Sequence, residues 1–278
     1  MSDGQVGMPA MELVPRYREE QVFIIEAFIV HSVQESGRNG VILGLSGGID
    51  SALVAKLCAD SIGPERVLAL ALPDGKGGRD LKDARRFAKA IGIEFRIVNI
   101  GPIASALEKR VKAAEANIVA RGNLRARARM TVLYYGANTE NRVVMGTGNK
   151  SEILIGYDTK FGDTGADFMP IGDLYKTQVQ EMAVHLGLPN EIVEKTPTAG
   201  LWPGQTDEGE LGITYADLDR VLLGIELQME PEAIAEKAQV PLERVRHVEA
   251  LVSASVHKRK PPLIPKLGVR TVGLDWRE

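Results

Sequence analysis

The sequence predicts an α/β fold, a doubly wound parallel sheet with helices on both faces. Short apolar runs alternate with helix-length segments between residues 41 and 146, the pattern of strands joined by helical crossovers. The first run is apolar throughout, as in strands covered on both sides, and glycines stand where runs give way to helices.

Residues 16–37 carry Val22, Ile25, Phe28 and Ile29 at helical spacing, then reach Gly37 and Gly40, which suit a helix stop and a turn. Residues 41–45 form the first strand, and Ser46-Gly47-Gly48-Ile49-Asp50-Ser51 leads into a helix over 52–62. The pair recurs as strand 66–72 with helix 81–91, as strand 94–100 with helix 102–114, and as strand 142–146 after a long helix. Two stretches read as loops: 73–80, with Gly75, Gly77 and Gly78, and 196–212, with Trp202 and an acidic cluster. Ligands of open α/β sheets bind beside such loops at the strands' carboxyl ends. Residues 213–260 are helical again and end at Pro261-Pro262. No repeat or linker divides the chain, so one domain over 1–278 is expected.

Composition narrows the function. A formal charge of -3, from 34 Lys+Arg against 37 Asp+Glu, argues against a nucleic-acid partner. Cys58 is the only cysteine, so it forms no internal disulfide and reads as a small core residue. His31, His185 and His247 lack metal-ligand spacing. No apolar run approaches the roughly 20 residues of a membrane span, and the first twelve residues lack signal-peptide character. A cytoplasmic protein with no membrane partner is expected.

A strand that opens through two glycines into a helix gathers free backbone N–H groups and a positive dipole end, which attract an anion such as a nucleotide phosphate. Ser46 and Ser51 add hydroxyl donors. The Walker lysine and the GxGxxG pattern are both absent from this turn. Asp50 has two readings here: a helix N-cap, or a ligand to a magnesium ion lying between carboxylate and phosphate. On the long helix Arg121, Arg125 and Arg129 share a face that suits solvent and ordinary ion pairs. Arg127 points toward Met130 and Tyr134, where a guanidinium needs a fixed anionic partner.

The turn resembles the SGGxDS signature of the ATP pyrophosphatases, which split ATP into AMP and pyrophosphate. Other segments narrow the resemblance: NLRARARM at 123–130, GTGNKSE at 146–152, GYDTKFGD at 156–163 and GLWPGQTDE at 200–208 are similar to NAD synthetases, over residues 16 to 262. This implies an adenine nucleotide alpha-hydrolase-like, Rossmann-like sheet of order 3-2-1-4-5. It also implies ligase chemistry of the ammonia-dependent type: ATP adenylates the carboxylate of deamido-NAD, and ammonia displaces AMP to give NAD.

The resemblance implies that Gly44, Leu45, Ser46, Gly47, Gly48, Ile49, Asp50 and Ser51 wrap the ATP phosphates, with Thr147, Lys176 and Thr198 completing the ATP site. Asp50 and Glu152 are the implied ligands of Mg2+, and Asp50 and Lys176 the implied catalytic pair. Arg127, Lys160, Asp167, His257 and Lys258 match positions that hold deamido-NAD. A plain alternative for 257–260, HKRK, is that these cations offset a helix C-terminal dipole. The family also implies a homodimer through the long helix and the helix before it.

Only 45 residues precede Ser46, too few for the N-terminal glutamine amidase domain of glutamine-using members, so free ammonia or a separate glutaminase is the expected nitrogen source. The 73–80 loop lacks the family's Ser-rich run, and its Lys76 and Arg79 are candidates to contact pyrophosphate. Another ATP pyrophosphatase and a non-catalytic ATP sensor are the alternatives, separated by metal-dependent AMP formation and by dependence on deamido-NAD.

Overall fold

Three of the strands are sorted by the two-residue period of an extended chain. In β1 (Gly40–Gly44), Val41 and Leu43 enter one core and Ile42 the opposite one; in β2 (Val67–Ala71), Val67 and Ala69 separate from Leu68 and Leu70 in the same way. β4 (Arg142–Met145) repeats the pattern, with Val143 and Met145 on one face and Val144 on the other. Both faces are apolar and need cover, which the crossover helices supply. A computed structural model of the chain describes residues 13–111, 117–198, 200 and 204–272.

The described strands are all parallel, in the order β3-β2-β1-β4, with Val41 opposite both Val67 and Val143. One face packs against α1 (Glu20–Glu35), α2 (Ile49–Ile62) and α3 (Arg79–Ala90). The other carries α4 (Gly101–Val111) and the long α5 (Ile118–Glu140). Cys58 is completely buried on α2, and burial pushes its thiol up to about 12, as suits a core residue. The helix expected over 102–114 is described only to Val111; its remainder, and Trp202, lie outside the described residues.

Burial on both faces fails at β3 (Glu94–Ile97), where Glu94, Arg96 and Ile97 are exposed. This is the sheet edge, and Arg96 pairs there with Glu94 and Glu140, the charged surface that blunts an edge strand. Beside β4, where a fifth strand is expected, Phe168 alone bridges in parallel to Met145 and accepts from the Gly146 N–H at 2.8 Å. Pro170 follows two residues later and has no N–H with which to lengthen the ladder.

Short helices α6 (Lys150–Ile155), α7 (Lys176–His185), α8 (Asn190–Val193) and α9 (Asp207–Leu211) follow, the last inside the stretch read as a loop. α10 (Tyr215–Glu226), α11 (Pro231–Ala238) and α12 (Leu242–Ala254) then build a second core around Leu218, Val221, Leu222, Ile234 and Val245, joined by Ile155 and Tyr175.

α8 is held to α3 by charge. Asp83, its side chain 3% exposed, bonds Lys195 at 3.0 Å and Arg86 at 3.1 Å, and Arg86 also meets Glu191 at 3.1 Å. Burial alone would raise the Asp83 pKa, but Lys195, Arg79 and Arg86 together hold it below the usual carboxylate value. The unfolded chain therefore binds this proton more readily than the folded one. Its contribution is present above the unfolded pKa, about 4, and fades as pH falls through the lowered native value. Asp83→Asn is expected to cost about 3 kcal/mol at pH 7, the scale for breaking a buried pair. Denaturant melts should show this deficit shrinking as pH falls below about 4.

Candidate active site

The segments leaving the carboxyl ends of β1 and β4 converge. Leu45 stays in the sheet, donating its N–H to Leu70 O at 2.9 Å, and the chain then turns. Gly47 has φ +86°, and a Cβ there would lie 2.4 Å from Asp80 O, so both conformation and space demand glycine. Gly48 begins α2 without a side-chain cap, leaving the positive end of the helix to an anion. The Ser46 and Ser51 hydroxyls meet at 3.0 Å, and Ser51 Oγ also donates to Gly48 O at 3.0 Å. The helix starts at Ile49, three residues before the expected position, so Asp50 and Ser51 sit in its first turn and Asp50 is not the N-cap.

Asp50 accepts from Lys176 Nζ at 2.5 Å and from Asn149 Nδ2 at 2.9 Å. Asn149, wholly buried as the N-cap of α6, accepts the Glu152 N–H through its Oδ1 at 3.0 Å, so one amide sets both carboxylates. Lys176 opens α7 and is 2% exposed; its ammonium also lies 3.3 Å from Glu152 and 5.2 Å from the Tyr215 ring centre. Burial opposes its charge, yet Asp50 and Glu152 raise its pKa above the usual lysine value. Burial pushes Glu152 up to about 7; Lys176 opposes that shift while Asp50 and Asp207 add to it. Tyr215 donates to Asp207 at 3.1 Å and reaches Glu152 at 3.5 Å.

Behind this cluster lies a carboxylate that sequence reasoning missed. Asp219 on α10 is 0% exposed and accepts from Ser151 Oγ at 2.5 Å and from both the N–H and the hydroxyl of Thr177 at 2.8 Å. Ser151 in turn accepts the Lys176 N–H at 2.9 Å, so Asp219 fixes the starts of α6 and α7 together. Its signal was an acid on the apolar side of a helix, beside Leu218 and Leu222. Asn149 was hidden within the GTGNKSE motif.

Thr147 stands on the turn between β4 and α6, two residues before Asn149. Thr198 closes its own loop, donating to Gln205 O at 2.8 Å and accepting from Gly200 N–H at 3.1 Å. The remaining positions form a second group. Arg127 is exposed, donates to Lys160 O at 3.2 Å, and has no carboxylate partner among the described residues. Lys160 Nζ reaches His257 O at 2.7 Å. Lys258 donates to Gly156 O at 2.7 Å and Asp158 O at 2.6 Å, and Arg259 binds Leu154 O at 2.6 Å. Lys258 and Arg259 thus bond carbonyls in and just beyond the last turn of α6. Asp167 lies apart beside β4, accepting from Tyr134 at 3.0 Å and from Val144 N–H at 2.8 Å. The arginine stripe is not uniformly solvated: Arg125 pairs with Asp74 and Glu108, while burial lowers the pKa of Arg129, whose Nε donates to Leu72 O at 3.0 Å.

A parallel sheet whose first strand turns through SGGIDS onto an open helix end, beside a lysine set between two carboxylates, defines a nucleotide-binding α/β enzyme. The chain belongs to the NAD synthase family, whose model matches residues 22–262. An NH(3)-dependent NAD(+) synthetase of Thermococcus sibiricus is 48% identical over 87% of this chain and 94% of its own. Among solved structures, an NMN synthetase from Francisella tularensis superposes with TM-score 0.79 at 35% identity, covering 90% of this chain and 98% of that one. An NH3-dependent NAD synthetase from Campylobacter jejuni, in complex with the nitrate ion, gives TM-score 0.77 at 31% identity, covering 89% and 98%.

Gly47→Ala should abolish measurable ATP binding in a calorimetric titration and destabilise the fold by about 1–3 kcal/mol, the cost of a strained backbone position.

Proposed function

We propose that this protein amidates deamido-NAD with ammonia at the expense of ATP, giving NAD, AMP and pyrophosphate through an acyl-adenylate. The observation that carries this is the Asp50–Lys176–Glu152 cluster beside the glycine turn, in a chain of the NAD synthase family. In this reading residues 44–51 hold the triphosphate. Asp50 and Glu152 supply hard oxygen ligands to magnesium, and the donor set fits: two carboxylates sharing one ammonium suit a site exchanging cations. A magnesium ion held by these residues would offset phosphate charge.

A carboxylate is a poor electrophile, and adenylation gives it a good leaving group. Asp50 and Glu152 favour the charged form of Lys176 and hold it from both sides, so it is preorganised to stabilise negative charge gathering on the α-phosphate. Thr147 and Thr198 complete the ATP site, and the 73–80 loop keeps water from the adenylate. Arg127, Lys160 and Asp167 bind the dinucleotide. His257 and Lys258 complete that surface, through the bond from Lys160 to the His257 carbonyl and the bonds of Lys258 to the 156–158 backbone.

Exposed Leu107, Val111, Ile118, Val119 and Tyr135 support a homodimer through α4 and α5. We place the enzyme, as a single domain, in the cytoplasm; among the described residues no helix is long and apolar enough to cross a membrane.

The test incubates protein with ATP, magnesium and deamido-NAD, with ammonium or glutamine, and quantifies NAD and AMP. NAD from ammonium but not from glutamine is expected, and Lys176→Met should lower kcat by about 100-fold or more, as loss of a preorganised charge does. Since one structural neighbour is an NMN synthetase, nicotinate mononucleotide is run as a competing acceptor and should react more slowly. AMP without NAD would refute the acceptor assignment; neither product would refute the enzyme reading.

A further inference from the structure

Lys195 follows α8, immediately before the loop that carries Thr198. Its ammonium meets three oxygens: Gly47 O at 2.9 Å, Asp80 Oδ1 at 2.7 Å and Asp83 Oδ2 at 3.0 Å. An ammonium has three donors. Two of them are hydrogen-bonded within the chain, to Gly47 O and Asp83 Oδ2, and the Asp80 carboxylate pairs with the same charge.

We infer that Lys195 is a positioning residue for ATP, locking the 47–48 peptide of the phosphate turn and tying the roots of both long loops to it. This rests on the nucleotide reading above. The 47–48 peptide lies between two glycines, so its rotation meets little steric resistance. A peptide is planar and trans, so its carbonyl and the next N–H point opposite ways. Holding the Gly47 carbonyl against Lys195 therefore fixes the direction of the Gly48 N–H at the mouth of α2, where it donates to Ser46 Oγ at 3.2 Å. A flipped peptide would aim a carbonyl oxygen toward the phosphates. Asp80 O, packed where a Gly47 Cβ would be, confines the turn from another side.

The same ammonium joins the two loops. Asp80 and Asp83 occupy the first turns of α3, which the 73–78 stretch enters, and Lys195 itself begins the stretch leading to Thr198. Arg86–Glu191 runs alongside as a second tie between α3 and α8. The two loops thus share one anchor at the back of the turn.

The test titrates full-length protein with magnesium-ATP by calorimetry, without acceptor, and measures the KM for deamido-NAD separately. Lys195→Met is expected to weaken ATP binding about tenfold, the scale for losing a hydrogen bond to a charged group, with the deamido-NAD KM within about twofold of wild type. Lys195→Arg, which keeps the charge but spreads its donors over a planar fork, should fall between, at about threefold. Unchanged ATP affinity in Lys195→Met, or equal weakening toward ATP and deamido-NAD, overturns the inference. If the Met variant does not fold, wild-type ATP affinity in Lys195→Arg overturns it. A wild-type protein that binds ATP but makes no NAD refutes the functional proposal instead, leaving the titration to judge Lys195.

Discussion

Everything around the site depends on one buried ammonium. Lys176 stands between Asp50 from the β1 side and Glu152 from the β4 side. Without it, two carboxylates would face each other at low dielectric, an arrangement that expels one charge or demands a metal. The fold invests heavily in placing it: Asn149 sets the carboxylates, Ser151 and Asp219 set the backbone of Lys176, and the Tyr215 ring covers its ammonium. These partners come from α6, α7 and α10, so the second core, far along the chain, orders a site that begins at the first strand.

Much of the fold was legible because strand burial and helix spacing are local signals. The runs at 41–45 and 66–72 became β1 and β2 within a residue or two, and the long helix and the 142–146 strand followed as read. The departures lie at the margin of the sheet and in one acidic loop, where local signals are weakest. β3 stands at the edge, where the order 3-2-1-4-5 puts it, and its exposed Glu94 and Arg96 suit that place. The fifth strand shrank to a single bridge at Phe168 ahead of Pro170. α9 went unseen because an acidic, glycine-bearing stretch has weak helical periodicity.

The site was legible in part, and only with the help of family resemblance. Asp50, Glu152 and Lys176 do meet, which no spacing in the sequence announces, since 126 residues separate Lys176 from Asp50. Arg127, Lys160, His257 and Lys258 gather around residues 156–160, whereas Asp167 binds Tyr134 and the β4 backbone. What stayed hidden were the polar groups that act on other residues: Asn149, Asp219 and Lys195. Their roles consist of distances to partners, and a sequence lists side chains without distances.

The six residues of α6 have an architectural consequence. Its first turn carries Glu152 and is capped by Asn149, on the Lys176 side; its last carbonyls are gripped by Arg259, and the chain just beyond by Lys258. At about 1.5 Å per residue the helix is a strut of roughly 9 Å. Both ends are pinned by buried or half-buried partners, so its length acts as a ruler between the Asp50–Lys176–Glu152 cluster and the surface around Lys160. A chain that lengthened this helix by one residue would keep every side chain of both groups, yet rotate one group about 100° relative to the other.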